Sequence, residues 1–529
     1  MTRLVSRRPL ALLAIGALCA LIVSPRLTAQ STTGAAARAN ARRYREANEA
    51  VILREYRELL SLPNVASDAP NIRRNADLLV QMLQRRGATA QLLEVGTAPP
   101  AVYGEIRAPG AIRTLVLYAH YDGQPVDPKQ WAGAPFTPVL RDKAHYQGGK
   151  EIPFPNDGER TNGEWRIYGR SASDDKLSII TILAALDAMK AGGQLPSVNL
   201  KLFFEGEEEA GSSHLEAILT KYRTLLSADA WIFCDGPVHQ SGVPQVVFGQ
   251  RGVTGLELTV FGPTRPLHSG HYGNWAPNPG TMIANLIASM RDDDGRIKIA
   301  NFYDDVKPIS AAERRAIAAL PPVDSALRAS LGLARSEADN ALLAERIMIP
   351  ALNVRGIRVG GVRETGANVI STDAFASFDF RLVPNQTPER VRELVERHIA
   401  AQGYHLVRDS ADQATRLKYP KIARLEWENG YPAQRAGLDD PFGVAVATAA
   451  SAGAQQAPLR TPTLGGSGPS YLFTKVLGVP VVTISIANFD NNQHAANENL
   501  RLQNLWDGIE LYAGLLVGIG NEWRTVVVP

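Results

Sequence analysis

Cysteine is nearly missing: 529 residues hold only Cys19 and Cys234. Cys19 lies within an N-terminal apolar segment, so the rest of the chain cannot close an internal disulfide. It cannot build a cysteine-based zinc site either. An excess of one charge is also missing. The 56 basic residues stand against 53 acidic ones, a net charge of +3, which gives no electrostatic reason to expect nucleic acid as a partner. The apolar run from Leu10 to Val23 falls short of the roughly 20 residues that a spanning helix needs. No internal repeat is evident. The composition that remains, 45% hydrophobic and 21% charged, is that of a globular protein long enough for two or three domains.

At the N-terminus, Arg3, Arg7 and Arg8 precede that apolar run, and small residues around Thr28 and Ala29 follow it. This order is that of a secretory signal peptide over residues 1–29. It predicts a secreted or periplasmic protein with no membrane attachment once the leader is removed. A retained anchor is the alternative. Leu18 before Cys19 argues against lipidation.

Downstream, strands alternate with helices. Helical spacing covers Ala35 to Leu60 and Asn71 to Arg86, with Gly87 placed to cap the second. Apolar strands are predicted at Leu115–Ala119, Val198–Phe204 and Ala230–Cys234, with a helix at Leu177–Met189. The stretch from Pro125 to Gly163, rich in Pro, Gly and Asp, predicts a long loop over a site. Polar residues collect just past the strand ends, at His120, Glu208, Glu209 and Asp235, the edge where open α/β sheets bind ligands. After Arg251 the pattern changes to β, α, β, β, α, β, using Leu256–Phe261, Met282–Met290, Ala374–Phe380 and the helix Pro388–Ala401. That order suggests a ferredoxin-like insert, with Arg291 to Pro350 as a charged, helical embellishment. The α/β character resumes near Tyr431, with a strand at Val479–Ile486 and a last helix at Leu505–Ile519. The predicted organisation is a catalytic α/β domain from 35–250 and 431–529, interrupted by a lid over 251–430.

Five stretches carry the chemistry. His120-x-Asp122 follows a strand, and Asp122 is placed to hold one ring nitrogen while the other binds a metal. Asp174-Asp175-Lys176 opens a helix, where a carboxylate can bridge two metals or merely cap the helix. Glu205-Gly-Glu-Glu208-Glu209 puts four carboxylates within five residues, a cluster that needs cations or water to offset its repulsion. Asp235 ends a strand, and Asn491-Asn-Gln-His494-Ala-Ala-Asn497-Glu498 follows another.

In this order the five stretches resemble the M20 metallopeptidase family, and the resemblance covers nearly everything after the leader. The motifs that carry it are Gly169-Arg-x-x-x-Asp174-Asp175-Lys176, Glu205-Gly-x-Glu208-Glu209-x-Gly-Ser212 and His494-x-x-Asn497-Glu498. It implies a zinc-peptidase-type α/β catalytic domain with an inserted lid and dimerisation domain, two Zn2+ per subunit (with Mn2+ or Co2+ able to replace them), and a homodimer formed through the lid. Asp174 would bridge the metals, His120 and Asp235 would hold one, and Glu209 and His494 the other. Glu208 would be the general base toward a water activated between the metals. The Asp174–Asp175 peptide is cis in relatives. His268 resembles a histidine that stabilises the oxyanion from a partner subunit, and Asn353, Arg381, Gly466 and Ser467 match positions that bind substrate polar groups. The implied substrate is a dipeptide or the N-terminal residue of a short peptide. Relatives usually carry Gly where Ser171 and Leu177 stand, and Arg-Glu where Thr463-Leu464 stands.

Three other readings compete. An N-acyl-amino-acid amidohydrolase shares the fold, but Asp at 235 goes in the family more with peptidases. A serine hydrolase at Ser467 lacks the second Gly of a nucleophile elbow, since Pro469 is there. A non-catalytic binding module would not be expected to keep every ligand and the base.

Overall fold

Apolar runs without alternation become strands covered on both faces. Thr114–His120, Ala230–Phe233 and Val481–Ser485 are buried almost throughout. The structure, a computed structural model, describes residues 25–454 and 456–523. The leader expected over 1–29 lies, for residues 1–24, outside the described residues. Among the described residues no helix is long and apolar enough to cross a membrane.

The main sheet has eight strands, in the order Thr89–Leu93, Ala101–Ile106, Asn199–Glu205, Thr114–His120, Ala230–Phe233, Val481–Ser485, Gln245–Val247 and Leu459–Thr461. Its centre is parallel: Thr114–His120 runs with both of its neighbours, and Val481–Ser485 runs with Ala230–Phe233. Alternate side chains face opposite layers. Leu115, Leu117 and Ala119 join one core with Pro25–Leu60, Lys176–Ala191, Pro441–Gly453 and Leu502–Glu522. Val116 and Tyr118 join the other, where Phe473 meets Tyr118, Phe203 and Trp231 ring to ring.

The second sheet alternates instead. Asp373–Leu382 buries every second residue, so one face packs on helices Pro279–Met290 and Pro388–Ala401 while the other stays open. Its order is Ala351–Arg358, Asp373–Leu382, Gly249–Phe261, Ile422–Trp427, with short His405–Val407 at the edge. Counted along the chain, the four long strands lie 2-3-1-4 and pair antiparallel, which is the ferredoxin-like arrangement. The strand Gly249–Phe261 is continuous across both units. Its first residues pair with Gln434–Arg435 and Leu464–Ser467 before it enters the lid sheet.

One expectation is overturned. Pro125–Gly163 is not simply a loop, because Val139–Arg141 and Glu151–Ile152 form a four-stranded sheet with Arg166–Tyr168 and Asn499–Arg501. Strands of two or three residues show no periodicity for a sequence to reveal. The helix Ala69–Arg85 ends on Arg86, with Gly87 following in the left-handed region at φ 84°. The charged segment before Pro350, expected to be helical, holds four short helices.

Candidate metal centre

Four polar residues of the centre, His120, Glu208, Glu209 and Asp235, sit at or just past the ends of strands of the main sheet. His120 closes its strand fully buried. Its Nε2 lies 3.0 Å from Asp174 Oδ1, and its Nδ1 lies 3.3 Å from Asp122 Oδ1. Asp122 has a second task that the sequence did not reveal. Its two oxygens accept from the backbone N–H groups of Glu208 (3.1 Å) and Glu209 (2.9 Å), so the carboxylate that orients the histidine also pins the acidic loop.

The glutamates of that loop disperse. Glu205 accepts from the Tyr118 hydroxyl at 2.7 Å, and Glu207 lies 2.9 Å from His214 Nδ1. Glu209 accepts from Gln124 Nε2 at 2.7 Å and lies 3.2 Å from His494 Nε2. Glu208 is half-buried, and among the described residues no side chain donates to its carboxylate. Burial pushes its pKa well up, His120 opposes this, and Glu209, Asp235 and Asp174 add to the rise. A carboxylate in these surroundings holds a proton more strongly than an ordinary glutamate does.

Asp174 stands between the two histidines. His494 Nε2 is 3.1 Å from Oδ2, opposite His120 on Oδ1. Burial disfavours its charge, but these two imidazoles hold its pKa below the ordinary carboxylate range. The Asp174–Asp175 peptide is cis. Behind it, buried Glu498 accepts from the N–H groups of Ser171 (2.9 Å), Ser173 (2.8 Å) and Asp174 (3.0 Å), and from Arg170 Nη1 at 2.8 Å. Ser171 adopts φ 63°, the conformation a glycine would take without strain, and its hydroxyl accepts from Asn64 Nδ2 at 2.8 Å. Gln493 Nε2 reaches Asp174 Oδ2 at 3.0 Å.

Two trios can each hold a cation: His120, Asp174 and Asp235, and Asp174, Glu209 and His494. Within each, one donor atom per residue lies within 4.8 Å of the others. Asp174 belongs to both, so two ions would share it. The donors are nitrogen and oxygen only, which suits zinc and other divalent first-row ions. Burial, followed by Asp174, pushes Glu209 up to about 8 and Asp235 up to about 6. Carboxylates so disfavoured as free anions fit a centre that cations compensate.

The substrate-binding candidates divide. Arg381 and Ser467 meet, with Nη1 donating to Oγ at 2.9 Å, while Arg381 Nε donates to Asp379 Oδ2 at 2.6 Å. Gly466 is exposed beside them. Asn353 is exposed on the neighbouring strand, paired in register with Asp379. His268 is not brought to the centre: it is exposed on the lid, its Nδ1 accepting from Gly270 N at 3.1 Å. Tyr431, which sequence reasoning missed, lies within electrostatic reach of both parts. Burial raises its pKa, Glu208 raises it further and Arg381 opposes. Only the turn chemistry around Gly430 and Pro432 marked that position in the sequence.

A family model described as peptidase family M20/M25/M40 matches residues 116–517. The chain is 29% identical over 492 residues to a Cys-Gly metallodipeptidase DUG1 of Candida albicans, covering 86% of this chain and 92% of that one. It is 25% identical over 459 residues to the human Beta-Ala-His dipeptidase, covering 82% of each. Among solved structures, an M20 family metallo-carboxypeptidase of Sulfolobus solfataricus aligns with a TM-score of 0.73 at 28% identity, over 89% of this chain and 99% of that one.

Proposed function

Since the chain belongs to peptidase family M20/M25/M40, we propose that it is a two-zinc dipeptidase that recognises the free carboxylate of its substrate. The observation that carries this reading is the Arg381–Ser467 contact, in which a guanidinium held by Asp379 donates to a hydroxyl of the stretch Leu464–Ser467. An Arg fork beside a hydroxyl is suited to a terminal carboxylate. The relatives named as dipeptidases support the substrate class.

Bound cations supply Lewis acidity to the scissile carbonyl and make an attacking water acidic. The chain's own residues do the rest. Glu208 takes the proton of the attacking water and returns it to the leaving amine. Asp122 keeps His120 in one tautomer and keeps Glu208 in place through the loop backbone. Arg381 and Ser467 fix the far end of the peptide, so the carbonyl meets the base without a search over orientations. Export from the cytoplasm belongs to the same proposal and rests on the leader-like residues 1–29. So does a homodimer through the lid, supported by the edge strand Ala351–Arg358, which exposes Ile357.

The test is one dipeptide assayed free, N-acetylated and C-amidated with the zinc-loaded protein. Cleavage of the free form is expected to be at least about tenfold faster than that of either blocked form. Undiminished cleavage of the amide would instead indicate an aminopeptidase, and preference for the acetylated form an acylase.

A further inference from the structure

A cavity of about 220 Å3 lies beside the strand Leu464–Ser467 and apart from the metal ligands. One side is built by the short helices of the lid embellishment, through Ile317, Leu320, Leu343 and Ile347. The other is the edge of the catalytic unit, through Leu464 and Gly465. Several polar side chains in its wall already have partners. Gln245 donates to Pro237 O at 3.0 Å and accepts from Thr461 Oγ1 at 2.9 Å. Asp324 accepts from Leu343 N at 2.7 Å, and His239 Nδ1 pairs with the Ser241 hydroxyl at 2.9 Å. What the cavity offers a guest is therefore mainly apolar surface.

Two of its wall residues connect it to the centre. Leu464 packs against the turn after Asp235: a Cβ added to Gly236 would lie 3.4 Å from Leu464 Cδ1. Gly465 immediately precedes Gly466 and Ser467, and its carbonyl accepts from Arg251 Nε at 3.0 Å. The cavity thus adjoins, through Leu464 and Gly465, both the turn after Asp235 and the stretch that carries Ser467. A dry cavity of roughly 150 Å3 accommodates benzene, so this one has room for a phenyl or branched aliphatic group.

We propose that this cavity receives an apolar side chain of the substrate, making the enzyme selective for dipeptides with one bulky aliphatic or aromatic residue. The inference rests on the dipeptidase reading and extends it to specificity. Burying such a side chain raises kcat/KM over a glycine peptide by about 10- to 100-fold.

The test compares Gly-Gly with Phe-Gly, Leu-Gly, Gly-Phe and Gly-Leu on the zinc-loaded enzyme and on Ala344→Trp, which fills the cavity from its helical side. At least one series is expected to favour the bulky residue tenfold or more, and the preference is expected to collapse toward unity in the variant. Ratios near one in both series, or a folded variant that keeps the preference, would overturn the proposal. A readout independent of turnover uses Ala344→Cys with Glu208→Gln, since Cys234 is buried. Phe-containing dipeptides are expected to slow maleimide labelling at least fivefold, and Gly-Gly is not. Slowed labelling with no peptide cleaved by the parent enzyme would refute the dipeptidase reading and keep the cavity's role. Unslowed labelling would refute the cavity's role.

Discussion

Replacing Arg381 by Met keeps much of the side chain's length and apolar stem and removes its charge. In the structure Nε is held by Asp379, which is 14% exposed, and Nη1 by the Ser467 hydroxyl. Among the described residues no protein group engages Nη2, so one edge of the fork is open to a ligand. A hydrogen bond to a charged group contributes about 1.5–3 kcal/mol, which corresponds to a loss of roughly 10- to 150-fold in kcat/KM for a free dipeptide. The same substitution on a C-amidated peptide is expected to change kcat/KM less than about threefold, because the charge it removes has no counterpart there. Asp379 loses its ion-pair partner, so a modest loss of stability is expected and thermal melts accompany the assays. Arg251, whose pKa is lowered to about 10 by burial and then by Arg381, loses a repulsive neighbour. Steady-state assays on both peptides with matched zinc content provide the measurement. Equal losses on the acid and the amide would refute the clamp, since a carboxylate contact cannot weaken a substrate that has no carboxylate.

Glu208→Gln is expected to lower kcat by about 10²- to 10⁴-fold while metal content by elemental analysis stays at wild-type level, because Glu208 is in neither ligand trio. His494→Ala and Asp235→Ala should each leave about one tightly held ion per chain, and Asp174→Ala none, as read by equilibrium dialysis against zinc. Glu498→Gln should weaken metal binding by about 10- to 100-fold through loss of its grip on the Asp174 backbone; competition with a chromophoric chelator checks this. The metal-free protein should also become less stable as pH rises. Glu209 and Asp235, pushed up to about 8 and about 6 by burial and Asp174, hold protons in the native state that the unfolded chain has already released. His494, raised to about 9 by its hydrogen bond to Asp174 despite burial, extends the loss upward. Thermal melts of EDTA-treated protein should fall between pH 5.5 and pH 8.5, and zinc should abolish the trend. A flat profile would contradict it.

Much of the framework was legible because burial on both faces writes itself as an unbroken apolar run, as in Leu115–Ala119. The lid was legible for the opposite reason, since Ala374–Phe380 alternates. The candidate ligands were legible as spaced motifs, and the fold brings His120, Asp174, Asp235, Glu209 and His494 into two trios that can each hold a cation. What could not be read depends on contacts between distant residues. Glu498 is one letter in a motif, and only the fold shows it folded under Ser171, Ser173 and Asp174. Ser171 stands where relatives have glycine, and its left-handed φ is accommodated by Asn64, over a hundred residues away. The small sheet of Val139–Arg141 and Arg166–Tyr168 has strands too short to show a period, and His268, exposed on the lid, makes no contact with the centre within one chain.

The position of Val481–Ser485 has a consequence for how the molecule is made. This strand lies between Ala230–Phe233 and Gln245–Val247, in the interior of the main sheet, yet it is among the last segments to leave the ribosome. Until then the earlier strands have a gap that no neighbour fills, while the lid, complete by Trp427, can close its own sheet. His494 and Glu498 emerge later still. The first ligand trio is therefore encoded by residue 235, and the second only after residue 494. Stalled or truncated chains should carry a folded lid and an unfinished catalytic sheet with two exposed edges, a form prone to pair with its own kind before it can load its second ion.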